Sequence, residues 1–229
     1  MRLRRLFGTF AVGLGAVLAP SGAPLAAAVD VPQAGGANNI VNVATTGSAM
    51  TLARASTQVA TVAGPTVGST NIANASATNC TGCHSTAVAV QTIFVVGSPQ
   101  YFVPGNAATA VNGGCSFCVS FAYAWQYVLQ VSGPVHLTPA GQAQIVGLRQ
   151  QISDTVESTV VSDLAGALAL RAQLDRLTSQ LKSVIDGELV ASGVLATGTP
   201  NEHVDTSNGD INVCPPPDPS SGDGCPAAP

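Results

Sequence analysis

An α+β fold, in which an antiparallel sheet is followed by a C-terminal helical hairpin, is what the sequence predicts, on three observations. A block in the middle of the chain is duplicated, its side chains repeat with a period of two, and after Thr138 the period lengthens to that of a helix. The duplication appears when residues 71–105 are laid over 106–140 without a gap. Asn71, Ala73 and Ala75 meet Asn106, Ala108 and Ala110, and Cys80 and Cys83 meet Cys115 and Cys118. Ser85, Ala87, Ala89 and Gln91 meet Ser120, Ala122, Ala124 and Gln126, and Val96, Pro99 and Pro104 meet Val131, Pro134 and Pro139. Twelve identities in thirty-five positions mark an internal repeat.

The period of two comes from the positions between the matches. Thr86, Val88, Val90 and Thr92 become Phe121, Tyr123, Trp125 and Tyr127, while the alternate positions stay small or polar. Alternation of this kind belongs to a strand whose two faces meet different surroundings. The small face allows close approach of a second layer, and the bulky face suits packing under a helical layer better than glycan or protein binding. Gly97-Ser98-Pro99 and Ser132-Gly133-Pro134 end the strands.

In the helical part, Thr138-Pro139 supplies an N-cap and a first-turn proline. Ile145, Leu148, Ile152 and Val156 form one apolar stripe. Ser162-Asp163 caps a second helix in which Leu170, Leu174, Leu177, Leu181 and Val184 are spaced by three and four. Covering the sheet is the expected use of that seam, and weak dimerisation through residues 167–184 is the alternative.

Several boundaries follow. Arg2, Arg4 and Arg5, an apolar run to Leu18 and Ala26-Ala27-Ala28 read as a signal peptide over 1–28. Residues 29–57 read as low-complexity and partly disordered, 58–137 as the duplicated C-x-x-C domain, 138–191 as the hairpin, and 192–229 as a disordered Pro/Gly/Asp tail. After signal cleavage no transmembrane segment is expected. What remains carries five basic residues against twelve acidic ones, so no nucleic-acid footprint is present. Few lysines and abundant Ala, Gly and Val suggest a GC-rich bacterial source.

The chemistry-bearing residues are the six cysteines, Cys80, Cys83, Cys115, Cys118, Cys214 and Cys225. In an exported chain an even count reads as disulfides, with Cys214 and Cys225 closing a loop in the tail and the repeats bridged one to the other. Connectivity among the first four is open. Cys80, Cys83 and His84 also spell C-x-x-C-H, the attachment pattern for haem c, with His84 as the proximal ligand. Against that stand the second motif, which continues with Val119, and the lack of any methionine after the first. Thiol–disulfide exchange and four-thiolate zinc are further alternatives. The first lacks a helix N-terminus and the second the usual spacing. His136 and His203 lie in separate segments, and Asp205, Asn208 and Asp210 do not have calcium-loop spacing. No catalytic residues are assigned and no cofactor is expected.

The run STNIANASATNCTGCHSTAVAVQ, with NAATAVNGGCSFCVSFAYAWQYVL and GPVHLTPAGQAQIVGLRQQI, resembles an uncharacterised actinobacterial module. That module occurs in secreted proteins and in the extracytoplasmic parts of proteins named as peptide zinc metalloproteases. The likeness covers about Gln58 to Leu189, and the protease part, with its H-E-x-x-H, is not among these residues. It implies an extracytoplasmic, disulfide-bearing module. The resulting expectation is a secreted, non-enzymatic protein whose partner is an envelope or extracellular protein or a glycan.

Overall fold

The computed structural model describes residues 33–193, 201–214 and 225. The expected signal peptide and most of the proline-rich tail therefore lie outside the described residues. Six strands and two helices follow one another: β1 (Gln33–Ser48), β2 (Thr51–Thr81), β3 (His84–Val96), β4 (Tyr101–Ser116), β5 (Val119–Val131), α1 (Pro139–Ser158), α2 (Leu164–Ala191) and β6 (Asn201–Val213).

The strands do not form the antiparallel sheet that the alternation suggests. The first limb of β2 (51–63) pairs parallel with β3, and β3 pairs parallel with β5. The second limb (66–81) pairs parallel with β1 on one side and β4 on the other. The chain therefore winds as a solenoid of three coils, 33–63, 66–96 and 101–131, each placing one strand in a first sheet (β1, the second limb of β2, β4) and one in a second (the first limb of β2, β3, β5). Only β6 is antiparallel, adding to the edge of β5. The architecture remains α+β, with a mixed sheet and a C-terminal helical pair.

Two expected boundaries move. The segment 33–57, expected to be partly disordered, forms β1 and the start of β2 and is a full coil of the solenoid. Part of the expected disordered tail forms β6. At the start of the first coil the chain passes so close to the second that a Cβ on Gly36 would lie 1.6 Å from the carbonyl oxygen of Gly68, and Gly36 has φ +140°. Only glycine fits there.

Between the sheets lies a thin core of small side chains: Ala73, Ala75 and Ala110 from the first sheet, Ala87, Ala89, Ala122 and Ala124 from the second. Small residues bring the two backbones close, and the polar groups caught between them are satisfied by stacking. The Asn71 Nδ2 group donates to Asn106 Oδ1 at 2.8 Å, and Asn39 Nδ2 donates to Asn71 Oδ1 at 2.9 Å. The same amides donate across to carbonyls of the second sheet, at Val90 from Asn39 and at Ala89 and Trp125 from Asn71. A glutamine column runs beside it: Gln126 Nε2 donates to Gln91 Oε1 and Gln91 Nε2 to Gln58 Oε1, at 2.8 and 2.7 Å. Identical residues stacked at the strand repeat thus pay the desolvation cost of burying amides.

The outer face of the second sheet carries the bulky residues, and the hairpin covers it. Phe121, Tyr123, Trp125, Tyr127 and Leu129 form one cluster with Ile145, Ile152 and Val156 of α1 and Leu170, Leu174, Leu181, Ile185 and Leu189 of α2. The Leu170–Leu181 seam is thus buried within the chain rather than offered to a second copy. Both caps form as expected. Thr138 Oγ1 accepts from Gly141 N–H and Asp163 Oδ1 from Gly166 N–H. Glu188 of α2 accepts from the N–H and hydroxyl of Thr138, which fixes the two helices together. No described helix is long and apolar enough to cross a membrane.

Candidate functional site: the cysteine corner

Where each coil passes from the first sheet to the second, it turns through four residues. These are Gly47-Ser48-Ala49-Met50, then Cys80-Thr81-Gly82-Cys83, then Cys115-Ser116-Phe117-Cys118, stacked one above another. The third residue of each turn is left-handed, with φ of +51° at Ala49, +67° at Gly82 and +56° at Phe117. Backbone hydrogen bonds continue through the stack: His84 N–H donates to Met50 O, Val119 N–H to Cys83 O and Cys214 N–H to Cys118 O. In the second and third coils an extra left-handed residue, Asn79 or Gly114, precedes the first cysteine. Asn and Gly tolerate that conformation best, which accounts for their place in the motif.

The cysteines pair within each corner, Cys80 with Cys83 and Cys115 with Cys118, both at Cα separations of 6.0 Å. The expectation of bridges from one repeat to the other is therefore replaced by closure of each corner on itself. Each C-x-x-C turn brings its own two ends within the Cα range of a disulfide and closes on itself, although Cys80 also stands beside Cys115 in register. Cys214 and Cys225 pair as expected, at 5.6 Å, and extend the column by one rung. In the chain-entropy account a loop as short as a C-x-x-C contributes about 2 kcal/mol, and the longer Cys214–Cys225 loop about 3 kcal/mol.

The Sγ atoms of Cys80, Cys115 and Cys118 lie within 4.8 Å of one another, the one such thiol group among the described residues. All three are buried and paired. In that state they present no thiolate to a metal or to an incoming disulfide, and exchange would have to begin with an outside thiolate reaching a buried sulfur.

His84 opens β3, in one column with Thr51 and Val119. A position that accepts threonine, histidine and valine in successive coils does not by its geometry demand an imidazole. The Nδ1 atom of His84 is buried without a hydrogen-bond partner among the described residues, and desolvation pushes the imidazole pKa below its usual value. His136 is exposed between β5 and α1, away from His84, and the His203 side chain lies outside the described residues.

Asp205, Asn208 and Asp210 do not gather around a cation site. Asp205 pairs with Lys182 of α2 at 2.7 Å. Asn208 Nδ2 donates to Asn106 O, and Asp210 Oδ2 accepts from Ala110 N–H, both at 2.8 Å. These residues cap the end of the solenoid. Trp125 is packed in the core under the hairpin, and Tyr123 donates its hydroxyl to Asp175 at 2.9 Å, so the aromatic stripe is not an open binding face.

Residues whose roles sequence reasoning missed are Asn39 and Gln58, the first rungs of the two ladders. Their signal was present, since Asn39-Ile40 and Asn42 repeat as Asn71-Ile72 and Asn74. Compared with family models, curated proteins and solved structures, the chain matches none.

Proposed function

We propose that the protein is a secreted, non-enzymatic module with a structural or interaction role at the bacterial cell envelope, of the actinobacterial kind its C-x-x-C repeats resemble. The observation that supports this most is the outer face of the first sheet. Its outward side chains are Asn38, Ile40, Asn42, Ala44 and Thr46 on β1, then Thr70, Ile72, Asn74, Ser76 and Thr78 on β2, and Ala107, Thr109 and Val111 on β4. None of these is ionisable, and Ile40, Val103 and Tyr101 are 52%, 66% and 66% exposed. A broad uncharged face with exposed apolar side chains suits contact with a protein or glycan surface.

Labelled full chain incubated with washed envelope fractions tests the reading. Retention is expected, and Ile40→Lys combined with Thr109→Lys should abolish it by placing charge on the face. Equal retention of the double variant, or none by either protein, would sink the proposal. Haem attachment at Cys80, Cys83 and His84 is tested separately by intact mass after export from a bacterium competent in cytochrome c maturation. The disulfide reading expects a chain six hydrogens lighter than its reduced form, and a haem mass that survives denaturation would replace it.

A further inference from the structure

The two ladders have opposite polarity, and this makes the ends of the solenoid complementary. Along the asparagine column each Nδ2 group donates to the Oδ1 of the following coil. Along the glutamine column each Nε2 group donates back to the Oε1 of the preceding coil. The first coil therefore ends with Asn39 Oδ1 and Gln58 Nε2 directed away from the stack, and neither makes a hydrogen bond among the described residues. The third coil ends with the reverse set, Asn106 Nδ2 and Gln126 Oε1.

At the third coil β6 lies across that end. It pairs with β5 through its backbone and reaches β4 through side chains at a constant offset of 100 residues, from Asn106 to Thr206, Ala110 to Asp210 and Asn112 to Asn212. The cover is incomplete. Thr206 accepts from Asn106, but Gln126 Oε1 is left buried with no partner among the described residues. A buried carbonyl oxygen without a donor costs about 1–3 kcal/mol. The donor it lacks is the one Gln58 of a first coil would supply.

We propose that the first coil is a docking surface for a second copy of this chain, which it meets at the third coil in a head-to-tail contact, and that β6 and Arg54 hold the two ends apart. In that contact Asn106 Nδ2 would donate to the second copy's Asn39 Oδ1, and its Gln58 Nε2 to Gln126 Oε1, continuing both columns without a change of register. Heterologous contacts of this type do not close and grow into filaments unless an end is blocked. Both ends carry such a block. Where the second and third coils place Ala87 and Ala122 in the inner column, the first has Arg54, a charge on an edge strand with its side chain exposed at the open end. Charged side chains on an edge strand are a recognised defence of open sheet edges. Arg149 of α1 adds to it by donating to the carbonyl and hydroxyl of Thr57.

The contact rests on different residues from the envelope face, so the two proposals fail independently. Its test is sedimentation velocity of the full chain with the cap loosened by Asn208→Ala and Asp210→Ala, and separately by Ser207→Pro. Hydrogen exchange over 204–213 reports whether β6 has been released, and circular dichroism whether the rest is folded. Released chains should sediment as dimers and longer species, and Arg54→Ala in the same background should shift the distribution further. Excess wild-type chain, whose first coil is guarded only by Arg54 while its third is closed by β6, should terminate growth and leave dimers. Wild-type chain carrying Gln58→Leu should terminate less well. Released, folded chains that stay monomeric would overturn the proposal. So would oligomers indifferent to added wild type, since those would be general aggregates.

Discussion

The outer faces of the two sheets come from the same repeat and have opposite fates. On the second sheet, Thr86, Val88, Val90 and Thr92 and their successors Phe121, Tyr123, Trp125 and Tyr127 are all buried. On the first, outward residues such as Ile40, Val103, Thr109 and Val111 face solvent. Inside, the two sheets are nearly alike, with alanines, asparagines and glutamines in register. The inner positions answer to stacking, which keeps Asn and Gln in every coil and the alanines in the second and third, while the first has Val41, Val43 and Arg54 at alanine positions. The outer positions answer only to whatever covers them, so there the copies diverge. Identity between the second and third coils therefore marks the interior, and divergence between them marks the surface that a particular layer has claimed.

The sharpest way to break this comparison is to truncate one residue from each outer face. Tyr123→Ala should cost about 3–5 kcal/mol, from the cavity under the hairpin and the loss of the hydroxyl donated to Asp175. Thr109→Ala should stay within about 0.5 kcal/mol. Urea denaturation of both reads the difference directly, and similar midpoints would mean that the hairpin is not docked as described.

A second pair compares inside with outside on a single strand. Asn71→Ala removes donors to Ala89 O, Trp125 O and Asn106, and takes from Asn39 one of its three acceptors. Orphaning buried groups of this kind should lower stability by about 2–3 kcal/mol. Asn74 bonds only outward to Asn42, and Asn74→Ala should be near neutral in the same assay.

Much of this was legible, and the rest failed for identifiable reasons. The helix starts at Thr138 and Asp163 were readable because capping is local chemistry. The burial of Phe121, Tyr123 and Tyr127 was readable from their alternation with Ser120, Ala122 and Ala124. Strand direction was not. Side chains alternate identically in parallel and antiparallel strands, so a period of two carries no information about pairing. The ungapped 35-residue offset was the better signal, because in-register identity is what stacked coils need. The first coil escaped notice because it lacks cysteines and also the bulge residue that Asn79 and Gly114 supply, which shifts its register by one. β6 escaped because Asn, Asp, Ser and Gly disfavour strands in isolation. Here those same residues make the strand, since Thr206, Asn208, Asp210 and Asn212 reach the end of β4 with their side chains.

The corners, where the two sheets meet, offer a smaller effect with the opposite sign. Phe117 holds a left-handed conformation at +56° and leaves its ring half in solvent, while its counterpart one coil earlier is Gly82. A β-carbon costs about 1–2 kcal/mol in that region. Phe117→Gly removes the strain and gives up little burial, but glycine also widens the unfolded ensemble. The net gain should be about 1 kcal/mol, measured as a higher urea midpoint at unchanged slope. A loss would show that the exposed ring contributes packing which outweighs its backbone strain.

The smallest effect is a pH dependence at His84, the one titrating side chain in a column otherwise occupied by Thr51 and Val119. Desolvation lowers its pKa in the folded chain, so the unfolded chain binds the proton more tightly. Stability from this group is therefore complete above the unfolded value of about 6.5 and declines as the pH falls through it toward the folded value. His84 is only partly buried, so the decline should be modest. His84→Val places the residue of the next coil in the same position and removes the ionisation. Thermal midpoints of the two proteins should then differ more at pH 5 than at pH 8, with the variant the less acid-sensitive. Parallel pH profiles would mean that the imidazole is solvated in the folded chain, and that its partnerless Nδ1 meets water.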